Sequence, residues 1–139
     1  MPKRLYLVIV MGKKNVLIVT DGTIRVKKMA EKIAIALEGN EIFMKEASSF
    51  AGNDILPAEL IFLGCEEASP PSFDYLEELL QHINLANRPL GIFSPNSKDA
   101  IKYLSRIVMD SEAALYREAF LAENSDNIMK WTARVLASK

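Results

Sequence analysis

The sequence predicts a single three-layer α/β domain, a parallel sheet with helices on both faces. Short continuous apolar runs at residues 16–19, 60–63 and 89–93 read as strands buried on both sides. Segments with a helical apolar stripe alternate with these runs, and that alternation implies a parallel sheet. The length of 139 residues, half of them apolar, suits one domain spanning 1–139 with a sizeable core.

The elements follow in order. Residues 16–19, Val-Leu-Ile-Val, form the first strand. Val26, Met29, Ala30, Ile33, Ala34 and Leu37 then recur on one face of a helix, with Lys27, Lys28, Glu31, Lys32 and Glu38 on the other. Gly39 suits a left-handed helix end. Residues 41–47 alternate as a second strand, and 48–57 read as loop. The third strand, 60–63, ends at Gly64-Cys65, and a Pro/Ser loop spans 66–72. Asp74 with Glu77 fits a capping box for a helix through Leu76, Leu79, Leu80 and Ile83. The fourth strand, 89–93, follows Asn87-Arg88. Ser97 fits the cap of a helix carrying Ile101, Leu104, Ile107 and Val108. Residues 113–122 favour helix by local propensity, but their place in the order calls for a strand. Residues 126–137 form the last helix, with Met129 and Trp131 expected in the core.

The N-terminal residues 1–12 permit two readings. Leu5, Tyr6, Val8, Ile9 and Val10 favour a strand, which would be an extra edge strand or an intersubunit strand building a homodimer. Alternatively Met11 is the natural start and the first ten residues are an extension. The apolar run is short for a signal core and ends at Gly12-Lys13-Lys14 rather than at small residues. No segment is long enough to cross a membrane as an apolar helix.

A net charge of −1 gives no basic field for nucleic acid. Cys65 is the only cysteine, which forbids an intrachain disulfide and favours a reducing, cytoplasmic setting. His82, the only histidine, falls off the apolar stripe of its helix and is expected to be exposed. One histidine and one cysteine far apart have no metal-ligand spacing, so no metal is expected. Nucleophile-elbow and P-loop patterns are absent. A carrier or binding protein is therefore expected rather than a catalyst with its own active-site residues.

Three stretches resemble the flavodoxin family of small FMN-binding electron carriers. "NVLIVTDGTIRVKKMAEKIA" resembles the first strand, phosphate loop and first helix. "AELIFLGCEEASPPSFDYLEELL" resembles the third strand, a flavin-flanking loop and its helix. "NRPLGIFSPNSKDAIKYL" resembles the fourth strand and the second flanking loop. The resemblance implies a short-chain flavodoxin-like sheet of order 2-1-3-4-5, with a ligand site at the C-terminal ends of strands one, three and four. It also implies FMN as cofactor, electron transfer as activity and a redox protein as partner.

The family's phosphate loop, S/T-x-T-G-x-T, aligns with residues 21–26, Asp-Gly-Thr-Ile-Arg-Val, where only Thr23 matches. The loop is thus degenerate. Asp21 stands for a hydroxyl, Ile24 for the glycine that admits the phosphate, and Val26 for the closing hydroxyl. The loops at 66–72 and 94–99 lack the usual stacking aromatic, Phe73 coming only at the end of the first. FMN is therefore expected to bind weakly. The site residues expected from position are Gly22, Arg25, Glu66, Ser94 and Asn96, beside Thr23 from the resemblance. In a competing reading Thr23 only caps the helix, Arg25 and Glu66-Glu67 are solvated, and Cys65 is an inert buried thiol. Asp21 also suits a phospho-accepting receiver domain, but that class needs an aspartate where this chain has Gly64-Cys65. Two functions stay open: an FMN-binding electron carrier, and a flavin-free binding or assembly module on the same fold.

Overall fold

A computed structural model describes residues 13–122 and 127–138. The N-terminal strand or extension expected at 1–12, and the homodimer built on it, therefore lie outside the described residues. Strands β1 (Asn15–Thr20), β2 (Glu41–Glu46), β3 (Leu60–Gly64) and β4 (Pro89–Ser94) are joined in one parallel sheet by two short strands, β5 (Ala114–Leu115) and β6 (Phe120–Leu121). The order is β2-β1-β3-β4-β5, with β6 also on β4, as the resemblance implies. The helices are α1 (Ile24–Ala36), the single turn α2 (Gly52–Ile55), α3 (Asp74–Leu80), α4 (Lys98–Val108) and α5 (Asn127–Ala137).

The period-2 alternation of a strand divides the core in two. Leu17, Val19, Ile61, Leu63, Leu90 and Ile92 face α3 and α4, where they meet Leu76, Leu80, Tyr103 and Leu104. Val16, Ile18, Leu60, Phe62 and Phe93 face α1 and α5, where they meet Val26, Met29, Ile33, Trp131 and Val135. Trp131 lies in the core as expected, but Met129 is 40% exposed, because its position falls off the buried stripe of Ile128, Trp131 and Val135.

The ambiguous stretch at 113–122 is strand, in two pieces. Pro89 faces Ala114 and Leu90 faces Leu115, whereas Phe93 faces Phe120 and Ser94 faces Leu121. Gly91 and Ile92 are thus spanned by the four residues 116–119, which bulge from the edge. The bulge is held from beneath: the Trp131 indole donates to the Glu118 carbonyl at 2.6 Å.

Other sequence expectations shift. The loop expected at 48–57 contains a 3-10 turn and α2. Arg88 fixes this crossover, its Nη1 donating to the carbonyls of Ile55, Leu56 and Ala58 at 3.0–3.2 Å. The Asp74–Glu77 capping box does not form, because a 3-10 turn at Pro71–Phe73 runs straight into α3 and makes Phe73 the cap position. α3 also stops at Leu80, short of Ile83. Ser97 does cap α4, its Oγ accepting from the Ala100 N–H at 3.0 Å. Gly39 takes the expected positive φ of 100°.

Candidate functional site

The C-terminal ends of β1 and β3 meet at a hollow of about 370 Å³ lined by Asp21, Thr23, Glu66, Glu67 and residues 70–72. The sheet order puts these ends side by side, with Thr20 facing Gly64. Gly22 turns the chain at φ 85°, its N–H donating to Thr20 Oγ1 at 3.2 Å. That conformation favours glycine.

Asp21 organises the loop. Its Oδ1 accepts from the Thr23 N–H at 3.0 Å and from the Thr23 hydroxyl at 2.7 Å. Its Oδ2 accepts from the Glu66 N–H at 2.8 Å, which ties the loop after β1 to the loop after β3. Thr23 occupies the cap position of α1 yet makes no side-chain cap bond, because its hydroxyl points back to Asp21. Arg25 and Glu66 are not solvated singly: Arg25 Nη1 lies 2.9 Å from Glu66 Oε2 in a partly buried pair. Four of the expected residues, Gly22, Thr23, Arg25 and Glu66, thus come together.

The other two do not join them in side-chain chemistry. Ser94 ends β4 fully buried, and its Oγ accepts from the Ser97 N–H at 3.4 Å, a turn bond rather than a ligand contact. Asn96 is exposed on the same turn. Phe73 is fully buried against Tyr103, with ring centroids 6.3 Å apart, so it offers no face to a ligand. Sequence reasoning missed the tie between Asp21 and Glu66, whose partners lie 45 positions apart.

Cys65 is buried at the end of β3, and burial, with the Asp21 charge beside it, pushes its thiol from 9.0 up to about 12. The thiolate is the reactive form. The folded protein is therefore expected to resist Ellman's reagent at pH 8 and to react fully once unfolded in denaturant. Rapid labelling of the native protein would contradict the geometry. His82 is exposed, as expected. Among the described residues no helix is long and apolar enough to cross a membrane.

An open parallel sheet of order 2-1-3-4-5, with its loops converging at the C-terminal strand ends, defines a flavodoxin-like fold. The chain superimposes on a short-chain flavodoxin associated with a PDU bacterial microcompartment at TM-score 0.76 and 12% identity, covering 89% of this chain and 94% of that one. Flavodoxin 2 from Bacillus cereus gives 0.72 at 17% identity, with 88% and 94% covered. A Fusobacterium nucleatum flavodoxin variant bound to flavin mononucleotide gives 0.69 at 11% identity, with 91% and 95% covered. No protein-family model and no curated protein matches the sequence.

The residues present do not fit an FMN phosphate. The Thr23 N–H and hydroxyl, which would face it, already serve Asp21. Asp21, Glu66 and Glu67 give the hollow a carboxylate lining, and like charges repel a phosphate.

Proposed function

We propose that this chain is a flavin-free binding module on a flavodoxin-like fold, its site turned from an anionic cofactor towards a ligand or partner that presents a cation. The observation that carries the reading is the Asp21 carboxylate, which takes both Thr23 donors and the Glu66 N–H. The carboxylates around the hollow support it, as does the burial of Phe73 at the end of the first flanking loop. The single buried thiol of Cys65 agrees with a reducing, cytoplasmic setting.

The second reading is the FMN electron carrier working with a redox partner. It is favoured by the fold's likeness to a flavodoxin bound to flavin mononucleotide. In that reading two missing neutral hydrogen bonds, on the order of 1 kcal/mol each, weaken FMN roughly tenfold to a hundredfold relative to a full loop.

A titration of FMN into the purified protein, followed by flavin fluorescence and visible absorbance, separates the two. The expected result is no saturable quenching and a colourless protein after dialysis. A yellow protein that keeps one flavin per chain overturns the flavin-free reading.

A further inference from the structure

We propose that the outer edge of β2 is a self-association surface: a second copy of this chain pairs with it antiparallel and continues the sheet across a two-fold axis at Phe43. The inference goes beyond the binding role proposed above and does not rest on it. β2 ends the strand order, and among the described residues no strand pairs with its outer side. It is six residues long and follows β1 without interruption, from Asn15 opposite Glu41 to Thr20 opposite Glu46, so no bulge twists the edge away. It contains neither proline nor glycine. Phe43 is 51% exposed on one face of the sheet, and Met44 is 42% exposed on the other. The opposite edge of the sheet is built differently, from two-residue strands parted by the bulge at 116–119. An edge as long, regular and apolar as β2 is a template for another strand.

The backbone and the charges select one register. The Glu41 N–H donates to the Lys14 carbonyl at 2.9 Å, which turns it inward towards the start of β1. Peptide groups alternate in direction along a strand. Phe43 and Lys45 therefore also turn inward, and Ile42, Met44 and Glu46 present N–H and C=O to the open edge. An antiparallel copy sets outward residues opposite outward ones, which puts the two-fold axis at a residue and not between two. With the axis at Phe43, Ile42 exchanges both backbone bonds with Met44 of the second copy. Phe43 then meets itself as a close pair without hydrogen bonds, and Glu41 meets Lys45 on both sides of the axis. Shifting the axis to Ile42 sets Phe43 against Glu41, and shifting it to Met44 sets Phe43 against Lys45. Of the three, only the axis at Phe43 joins apolar to apolar and opposite charge to opposite charge. Lys45, which would guard a solitary edge, thereby becomes a pairing residue. Glu41 and Lys45 stay partly exposed beside Lys13 and Asp54 in their own chain, so both are within reach of a second copy.

The test is sedimentation equilibrium of the full chain as wild type, as Lys45→Glu, and as Glu41→Lys combined with Lys45→Glu. Wild type is expected to reach twice the mass of one chain. Lys45→Glu sets like charges opposite each other twice and is expected to raise the dimer Kd roughly tenfold or more. The double reversal restores opposite charges and is expected to recover most of that loss. Both positions are exposed, so the variants are expected to keep the circular dichroism of wild type. Phe43→Cys gives a second readout. Across the axis its two Cα atoms stand about 4.5 Å apart, within disulfide range, and oxidation is expected to yield a covalent dimer. Met44→Cys, about 7–8 Å from its copy on the diagonal, is expected to cross-link far less. Cys65 is buried and does not compete. A single-chain mass up to the highest soluble concentration overturns the proposal, whether residues 1–12 or nothing then covers the edge. So does a dimer that Lys45→Glu leaves as tight as wild type, or one in which Phe43→Cys cross-links no faster than Met44→Cys.

Discussion

Replacing Trp131 with alanine is expected to destabilise the protein by about 3–5 kcal/mol, the range for emptying a large buried aromatic site. Trp131 is 1% exposed and joins three elements. Its ring meets Phe62 of β3 edge-on and Phe120 of β6 at a tilt, each with centroids 5.6 Å apart. It also lies over Gly91 of β4, where an added Cβ would come within 3.0 Å of the indole. Its N–H holds the Glu118 carbonyl in the bulge of the edge strand. Alanine removes the aromatic contacts and the bulge's tie together. Against a typical total of about 5–15 kcal/mol, such a loss leaves a marginal fold. Urea denaturation followed by far-UV circular dichroism gives the number, since Trp131 is the only tryptophan and its fluorescence vanishes with it. Trp131→Phe, which keeps a ring, is expected to lose less. A cost below about 1 kcal/mol for alanine would mean that α5 is not held as described.

Gly64→Ala is the second large effect, for the opposite reason. A Cβ at Gly64 would lie 2.3 Å from two carbon atoms of the Phe93 ring, the residue directly opposite on β4. Phe93 is fully buried, and β3 is paired on both sides, so neither side chain nor strand has room to retreat. Overpacking of this kind costs about 1–3 kcal/mol. Gly64 needs no positive φ, so the cost comes from space and not from backbone strain. Phe93→Leu added to Gly64→Ala tests this directly. The double variant is expected to lose less than the two single losses combined, and simple additivity would show that the ring is not the obstacle.

Most elements were legible because buried strands and helical stripes write themselves into local sequence, whereas the sheet order came only from the resemblance of three stretches to the flavodoxin family. The runs at Val16 and Leu60 and the stripe from Val26 to Leu37 each carry their own period. The edge strand was not legible. Its two pieces, Ala114–Leu115 and Phe120–Leu121, are each two residues long, too short to show a period, and Trp131 from another element holds the bulge between them. At the site, position along the chain sufficed to gather Gly22, Thr23, Arg25 and Glu66. It could not show that Arg25 and Glu66 pair with each other, or that Asp21 reaches the Glu66 N–H. Both depend on strand ends that meet only in the fold. Ser94 ends β4 as its place in the sequence indicates, but local sequence could not show that its Oγ accepts from the Ser97 N–H in the turn beyond.

The packing of α5 against α1 over β3 and β4 bears on how the chain is made. Ribosomes extend a chain at about 5–20 residues per second. Until residues 127–138 emerge, Ile18, Phe62 and Phe93 lack the cover that Ile128, Trp131 and Val135 provide. The face towards α3 and α4 can close earlier, because its buried residues end at Val108 and the partly buried Ala113, Leu115 and Ala119 that pack on it also precede α5. A nascent chain stalled before α5 therefore has the opposite face covered by α1 alone, leaving exposed the apolar surface that Ile128, Trp131 and Val135 cover, the kind of surface chaperones hold.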